Sequence, residues 1–491
     1  MRTTKSGLNY GMLLQVLGGL LLIEGLFMVF PAVVAVIYGE RDLVPFLFSA
    51  VITAGIGWLF RRGVPVVSNH FGKRESYLLT GTVWVIFSLL GMLPLIIGSA
   101  RLDVSDAFFE AMSCFTTTGA TARDPHLPSL SHAVMMWQAL MQWLGGMGII
   151  LFTLAVIPQL NSPGGMQMFN AEVPGITHEK IMPRISQTAM SLWGIYAGLT
   201  LLQALLLWLG PMEAFDAICV AFGTLSTGGY ATPAGLDMIF GSTYATLVTT
   251  VFMFLGGINF TLIFNAILWR WRKIKINDIL RIFVGAIIVI TLLFIISIAY
   301  NHRYQDWRDL TIGPLFQVVS TITSTGYIWP HYTQWGQFVL ALTFLMMFSG
   351  GCSGSTSGGA KIDRLLYLQR RTSNELQRCL YPNAILSVRI NGIVQPPALV
   401  GKVISFLALY MIVIVAGGVA LTAIGLPSVD SFFSSFACIS NTGFGASVTG
   451  YGDDFTTMPA AAYWILSALM LIGRLEIFTI LVLFTRGFWR R

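Results

Sequence analysis

Apolar runs of about twenty residues recur along the chain, each long enough for a helix rising 1.5 Å per residue to cross a hydrocarbon core. They cover 11–38, 43–60, 77–98, 133–157, 186–209, 243–269, 282–300, 335–349 with its continuation, 399–424 and 459–484. This pattern predicts an all-α membrane protein of ten spans. The first run is longer than a signal-peptide apolar region and has no small-residue cleavage site, so it is expected to be retained.

Four shorter amphipathic runs lie between the spans, at 105–115, 214–225, 309–322 and 429–439. Each covers only about 15 Å as a helix, enough to reach the bilayer midplane but not to cross, so the chain must enter and come back. Every run leads into a Thr-Gly pair: Thr118-Gly119, Thr227-Gly228, Thr325-Gly326 and Thr442-Gly443, spaced by 109, 98 and 117 residues. The unit of span, half-helix, Thr-Gly loop and span therefore occurs four times. It divides the chain into two leading spans (1–75) and repeats over 76–180, 181–281, 282–395 and 396–491. The second spans align on Gly145-Gly146, Gly256-Gly257, Gly350-Gly351 and Gly473-Arg474. In the third repeat this span is interrupted, because small and polar residues replace the apolar pattern from Ser349 to Gly359.

Composition agrees with a chain mostly in lipid: 55% of residues are hydrophobic and 10% charged, against roughly 25% charged in soluble domains. Placing both termini in the cytoplasm puts 23 of the 29 Lys and Arg inside and five outside, the distribution that the positive-inside rule demands. The net charge of +7 is thereby a topology signal and implies no nucleic-acid partner. The five cysteines show no CxxC or other metal-ligand spacing, and their odd number argues against a disulfide framework. The six histidines lie in loops or at span ends, which leaves an intramembrane hydrolase without a base at the depth of a nucleophile.

Non-helical backbone at membrane depth survives only where protein buries it or it lines a water-filled cavity. Four such loops imply one central pore, in which backbone carbonyls replace the hydration shell of a cation. Glycine accepts the backbone angles needed there, threonine adds a hydroxyl, and the half-helix C-termini turn their partially negative ends toward the ion. The candidate ligands are Thr118, Gly119, Thr227, Gly228, Thr325, Gly326, Thr442 and Gly443, with Thr117, Ser226, Ser324 and Asn441 just below them. Arg474 is a basic residue inside a span, a placement that usually faces the bundle interior or a water cavity. A phosphate-binding loop at 350–361 fails on spacing, since Ala360 separates Gly359 from Lys361 and Ile362 follows the lysine.

The fourfold plan, the run from Ser349 to Lys361 and the segment Gly473-Arg474-Leu475-Glu476 resemble the Trk/Ktr/HKT superfamily, most closely its bacterial TrkH/TrkG potassium-uptake subunits. The resemblance covers nearly the whole chain. It implies K⁺ as the transported ion, no organic cofactor, and Gly119, Gly228, Gly326 and Gly443 as ion-facing glycines. A serine at the first of these accompanies sodium transport in some plant members, so Gly119 favours potassium. The flanks Ala120, Gly229, Tyr327 and Phe444 make an uneven ring, as in that family. It further implies an intramembrane gate formed by Gly350, Gly351, Cys352, Ser353, Gly354, Ser355, Thr356, Ser357, Gly358 and Gly359, with Arg474 as a barrier in the inner pore. A location in the bacterial inner membrane, a homodimer and a cytosolic TrkA-like nucleotide-binding ring follow from the same likeness. The basic segments 270–281 and 370–389 are the docking surfaces it suggests. Alternatives are a sodium-permeable member or an ion-coupled secondary transporter with broken helices.

Overall fold

The computed structural model describes residues 8–63, 72–123, 130–148, 185–445 and 455–489. They are predominantly helical, and the sheet among them is a hairpin of Arg389–Ile390 with Ile393–Val394. Among the described residues, six helices are long and apolar enough to cross a membrane: Tyr10–Ile37, Leu43–Gly63, Arg74–Ile97, Gln187–Trp208, Asp278–Tyr300 and Pro397–Ala423. They match the expected first, second, third, fifth, seventh and ninth spans. An apolar helix closes its own backbone hydrogen bonds, which is what lipid requires of a spanning segment.

The remaining four expected spans, the second span of every repeat, leave the helical path at the aligned glycine pair. The fourth is helical over His132–Gly146, and its expected remainder to residue 157 lies outside the described residues. The sixth, expected unbroken over 243–269, is instead Thr243–Gly257 and Phe260–Ile267, separated where Ile258 is extended and Asn259 caps the second helix by accepting from Thr261 N at 2.7 Å. In the eighth, Gln337–Ser349 and Ile362–Leu380 flank a non-helical segment over 350–361. The tenth, also expected unbroken, turns by 114° between Ala460–Arg474 and Ile477–Phe484, with Glu476 left-handed at φ 62°. Each glycine costs a helix about 1 kcal/mol relative to alanine, and a paired glycine is where a competing tertiary contact can end the helix.

The half-helices form as the amphipathic runs predict: Val104–Phe115, Ala214–Leu225, Trp307–Ile322 and Ser428–Ile439. All four carry an aspartate as their third residue, Asp106, Asp216, Asp309 and Asp430, where a negative charge complements the positive end of the helix dipole. Two of these carboxylates also tie down the returning chain. Asp216 accepts from Thr232 Oγ1 at 2.5 Å, and Asp309 from Trp329 Nε1 at 2.6 Å. The two leading helices cross at glycine: a Cβ on Gly57 would lie 2.8 Å from Gly18 O, so backbone meets backbone there.

Candidate functional site

Each half-helix ends in the same three backbone states. Two residues beyond Phe115, Leu225, Ile322 and Ile439 the chain turns left-handed at Thr117, Thr227, Ser324 and Asn441, with φ of 53°, 54°, 53° and 51°. Such angles cost non-glycine residues of order 1–3 kcal/mol each, and here they recur at one structural position. The next N–H returns to a carbonyl five residues back, Thr118 to Ser113, Gly228 to Gly223, Thr325 to Ser320 and Thr442 to Ala437, over 2.8–3.0 Å. The third state is a left-handed glycine: Gly119, Gly229, Gly326 and Gly443, at φ 77°, 72°, 92° and 70°.

These glycines close a ring. A Cβ on Gly119 would strike the carbonyl oxygen of Gly228, one on Gly229 that of Thr325, one on Gly326 that of Thr442, and one on Gly443 that of Thr118. Each loop thus abuts the next in chain order, and the fourth returns to the first. Matching on the Thr-Gly pair alone aligns Gly228 with Gly119. The backbone corrects that register by one residue: Gly229 occupies the glycine position, Gly228 the threonine position and Thr227 the left-handed position. Ser226 drops to the level of Thr116, Thr323 and Ser440. The end of the half-helix sets the register, and the dipeptide does not. Solvent access agrees, since Gly119 is exposed and Gly229, Gly326 and Gly443 are half-buried, whereas Thr118, Gly228, Thr325 and Thr442 are buried.

Glycines of the second spans allow this approach. A Cβ on Gly145 would collide with Phe115 O, one on Gly473 with Ile439 O, and one on Gly256 would lie 3.3 Å from Leu225 O. The following glycines serve the neighbouring repeat, Gly146 lying against Ser226 and Gly257 against Thr323. Asn441 staples the last repeat to the first, its Nδ2 donating to Thr118 Oγ1 at 2.9 Å and to Met470 O at 3.1 Å.

The non-helical segment 350–361 lies directly beneath the ring and, apart from Gly354, is buried. Thr356 Oγ1 donates to Leu225 O and Gly256 O, both at 3.0 Å, and Cys352 N to Gly257 O at 2.9 Å. Ser324 Oγ accepts from Gly358 N at 2.6 Å and lies 3.2 Å from Ser357 Oγ. A Cβ on Gly358 would strike Ser440 O. Opposite, Arg474 Nη1 donates to Thr356 O, and Nη2 to Gly145 O and Gly146 O. The segment therefore touches the second, third and fourth repeats itself and reaches the first through Arg474. The cavity below is bordered by Gly146, Gly358, Lys361, Gly473, Arg474 and Glu476, among others.

The family model for TrkH, described as cation transport protein, matches residues 47–489. The chain belongs to the TrkH family. Among its relatives is the Trk system potassium uptake protein TrkH of Escherichia coli K12, 35% identical over 490 residues that cover 98% of this chain and 100% of that protein. TrkG of the same organism, also named a Trk system potassium uptake protein, is 32% identical over 480 residues, covering 96% and 97%. The crystal structure of the potassium transporter TrkH from Vibrio parahaemolyticus matches with a TM-score of 0.87 at 31% identity, covering 98% of this chain and 100% of that one. As a member of the TrkH family the chain is a transport protein and not an enzyme.

Three features of this TrkH-family site escape a reading of sequence. Lys361 is buried, left-handed at φ 71°, and donates from Nζ to the carbonyl of Ser357, closing the segment on itself. Asn259, beyond adding a helix cap, donates to Ser353 O at 2.7 Å. Glu476, left-handed at φ 62° beyond the helix that ends at Arg474, pairs with Arg364. Lys361 sits at the edge of the interrupted span and Asn259 just after a glycine pair, which are the available hints; the Arg364–Glu476 pair joins residues 112 apart and leaves none.

Proposed function

We propose that this chain carries K⁺ into the bacterial cell across the inner membrane, through the ring of Gly119, Gly229, Gly326 and Gly443 and the carbonyls that precede them. The observation that carries this reading is the cyclic order of the loops, each glycine against the carbonyl of the next repeat. Such a ring gathers oxygens from four directions, which is what a dehydrated cation needs, and the half-helix C-termini add negative potential. Thr117 Oγ1 and Asn441 Oδ1 are buried without a hydrogen-bond partner among the described residues, so further oxygens remain for an ion. The names of the relatives support potassium as that ion.

Below the ring, residues 350–359 are the gate and Arg474 the electrostatic barrier. The reading keeps ten spans in four repeats after two leading spans, with both termini cytoplasmic. It also keeps a homodimer regulated by a TrkA-like ring that docks on the basic segments 270–281 and 370–389. Purified protein in liposomes, assayed for K⁺, Rb⁺ and Na⁺ flux with and without such a ring protein, tests it. Selective K⁺ and Rb⁺ flux supports the proposal. Equal Na⁺ flux turns the reading toward the sodium-permeable alternative, and saturating proton-coupled uptake toward the secondary transporter.

A further inference from the structure

The ring is not fourfold in its side chains. Three repeats place threonine at the second ring position, and each hydroxyl pairs with one two residues earlier: Thr118 with Thr116 at 2.8 Å, Thr325 with Thr323 at 2.8 Å, and Thr442 with Ser440 at 2.9 Å. The second repeat has Gly228 there and no such pair. Gln142 occupies the gap. Its Nε2 donates to Gly228 O at 2.9 Å and its Oε1 accepts from Tyr230 N at 3.1 Å. A Cβ on Gly228 would lie 2.5 Å from both Cδ and Oε1 of Gln142. Gly228 is not among the left-handed glycines, so space and not backbone keeps a threonine out.

Gln142 departs from the fourfold pattern as well. It lies four residues before Gly146, and the positions four before Gly257, Gly351 and Arg474 are Met253, Met347 and Met470, none of which can donate a hydrogen bond. The two departures, glutamine for methionine and glycine for threonine, are thus in contact. We infer that Gln142 is a positioning residue for ion selectivity: its carboxamide replaces the missing fourth threonine by tethering the second loop, through Gly228 O and Tyr230 N, to the second span of the first repeat. This inference rests on the ion ring proposed above. Gly228 O is the oxygen that faces Gly119, so the tether fixes one ring carbonyl and occupies part of its acceptor capacity, as no side chain does for the carbonyls of Thr118, Thr325 or Thr442 among the described residues.

The test is a double-mutant cycle in liposomes, reading the ratio of Rb⁺ to Na⁺ flux. Gln142→Met lowers that ratio by about fivefold, the factor set by one net hydrogen bond, while flux continues. Gly228→Thr alone loses flux, because its side chain meets the carboxamide. Gln142→Met with Gly228→Thr restores the arrangement of the other repeats and returns the ratio toward wild type. A wild-type ratio in Gln142→Met overturns the inference. If that variant does not fold, the double variant decides: a wild-type ratio supports the exchange, and a lost ratio or a failure to fold overturns it. Gly326→Ser, aimed at Thr442 O and leaving Gln142 untouched, serves as control. Should it shift the ratio where Gln142→Met does not, the ring stands and the role of Gln142 falls; should neither shift it, the ring itself is wrong.

Discussion

Arg474 Nη1 lies 2.7 Å from the main-chain oxygen of Thr356, while Nη2 reaches Gly145 O at 2.6 Å and Gly146 O at 2.7 Å. One planar guanidinium, a fork that lysine cannot copy, thus joins the segment beneath the ring to the end of the helix His132–Gly146. Arg474 also takes the place that glycine holds in the other three repeats, at Gly146, Gly257 and Gly351.

Removing this charge should raise conduction. Two unit charges about 6 Å apart repel by roughly 3 kcal/mol at an effective dielectric of about 20, which bounds the gain near a hundredfold. Arg474→Ala is expected to increase K⁺ uptake or single-channel current, and Arg474→Lys to keep most of the block. If Arg474→Ala instead fails to fold and a charge-swapped partner on another span restores it, the residue is a structural ion pair and the barrier reading is lost.

Deleting about ten residues over 350–359 removes the contacts to Leu225, Gly256, Gly257 and Ser324 together with the acceptor at Thr356 O. Basal flux of the purified protein should rise, by about tenfold or more if the segment alone obstructs the path, with each backbone hydrogen bond removed contributing about 1 kcal/mol to the closed arrangement. Lower flux from well-assembled protein would mean that the segment is packing and not a gate.

The register of the second loop is open to direct measurement. Gly119→Ser and Gly229→Ser each place a side chain against the carbonyl of the next loop, Gly228 O and Thr325 O respectively, at a backbone angle that side chains rarely adopt. Both should lower K⁺ over Na⁺ preference, each by about fivefold or more for a strain of about 1 kcal/mol at the ring. A Gly229→Ser protein with wild-type preference, beside an altered Gly119→Ser, would return the ion-facing position to Gly228.

Stability should separate from selectivity at the leading helices. Gly57→Leu forces a side chain into Gly18 O and Leu22 N, an overpacking that costs typically 1–3 kcal/mol. The melting temperature of the purified protein should fall, and the Rb⁺ to Na⁺ ratio of the surviving fraction should stay at the wild-type value. A changed ratio would show that the pair Tyr10–Ile37 and Leu43–Gly63 shapes the ring.

Much of this architecture follows from local patterns. Apolar runs of membrane length favour helices, since a helix alone can satisfy its backbone in lipid; the six spans found among the described residues were legible on that ground, and the four half-helices as shorter amphipathic runs. The loss of apolar character between Ser349 and Gly359 likewise foretold a break. What tertiary structure decided was where helices end and which residues meet. Gly256-Gly257 and Gly473-Arg474 sit in runs apolar enough to continue as helix, and they stop because half-helix termini and neighbouring loops press against them. Gly229 supplants Gly228 because the register is counted from the end of Ala214–Leu225 through backbone hydrogen bonds, to which a Thr-Gly match is blind. Gln142 meets Gly228 across 86 residues, and Arg474 meets Gly145 across 329. Contacts at such separation depend on how four repeats close around one axis, a property of the assembled chain that no local stretch of sequence contains.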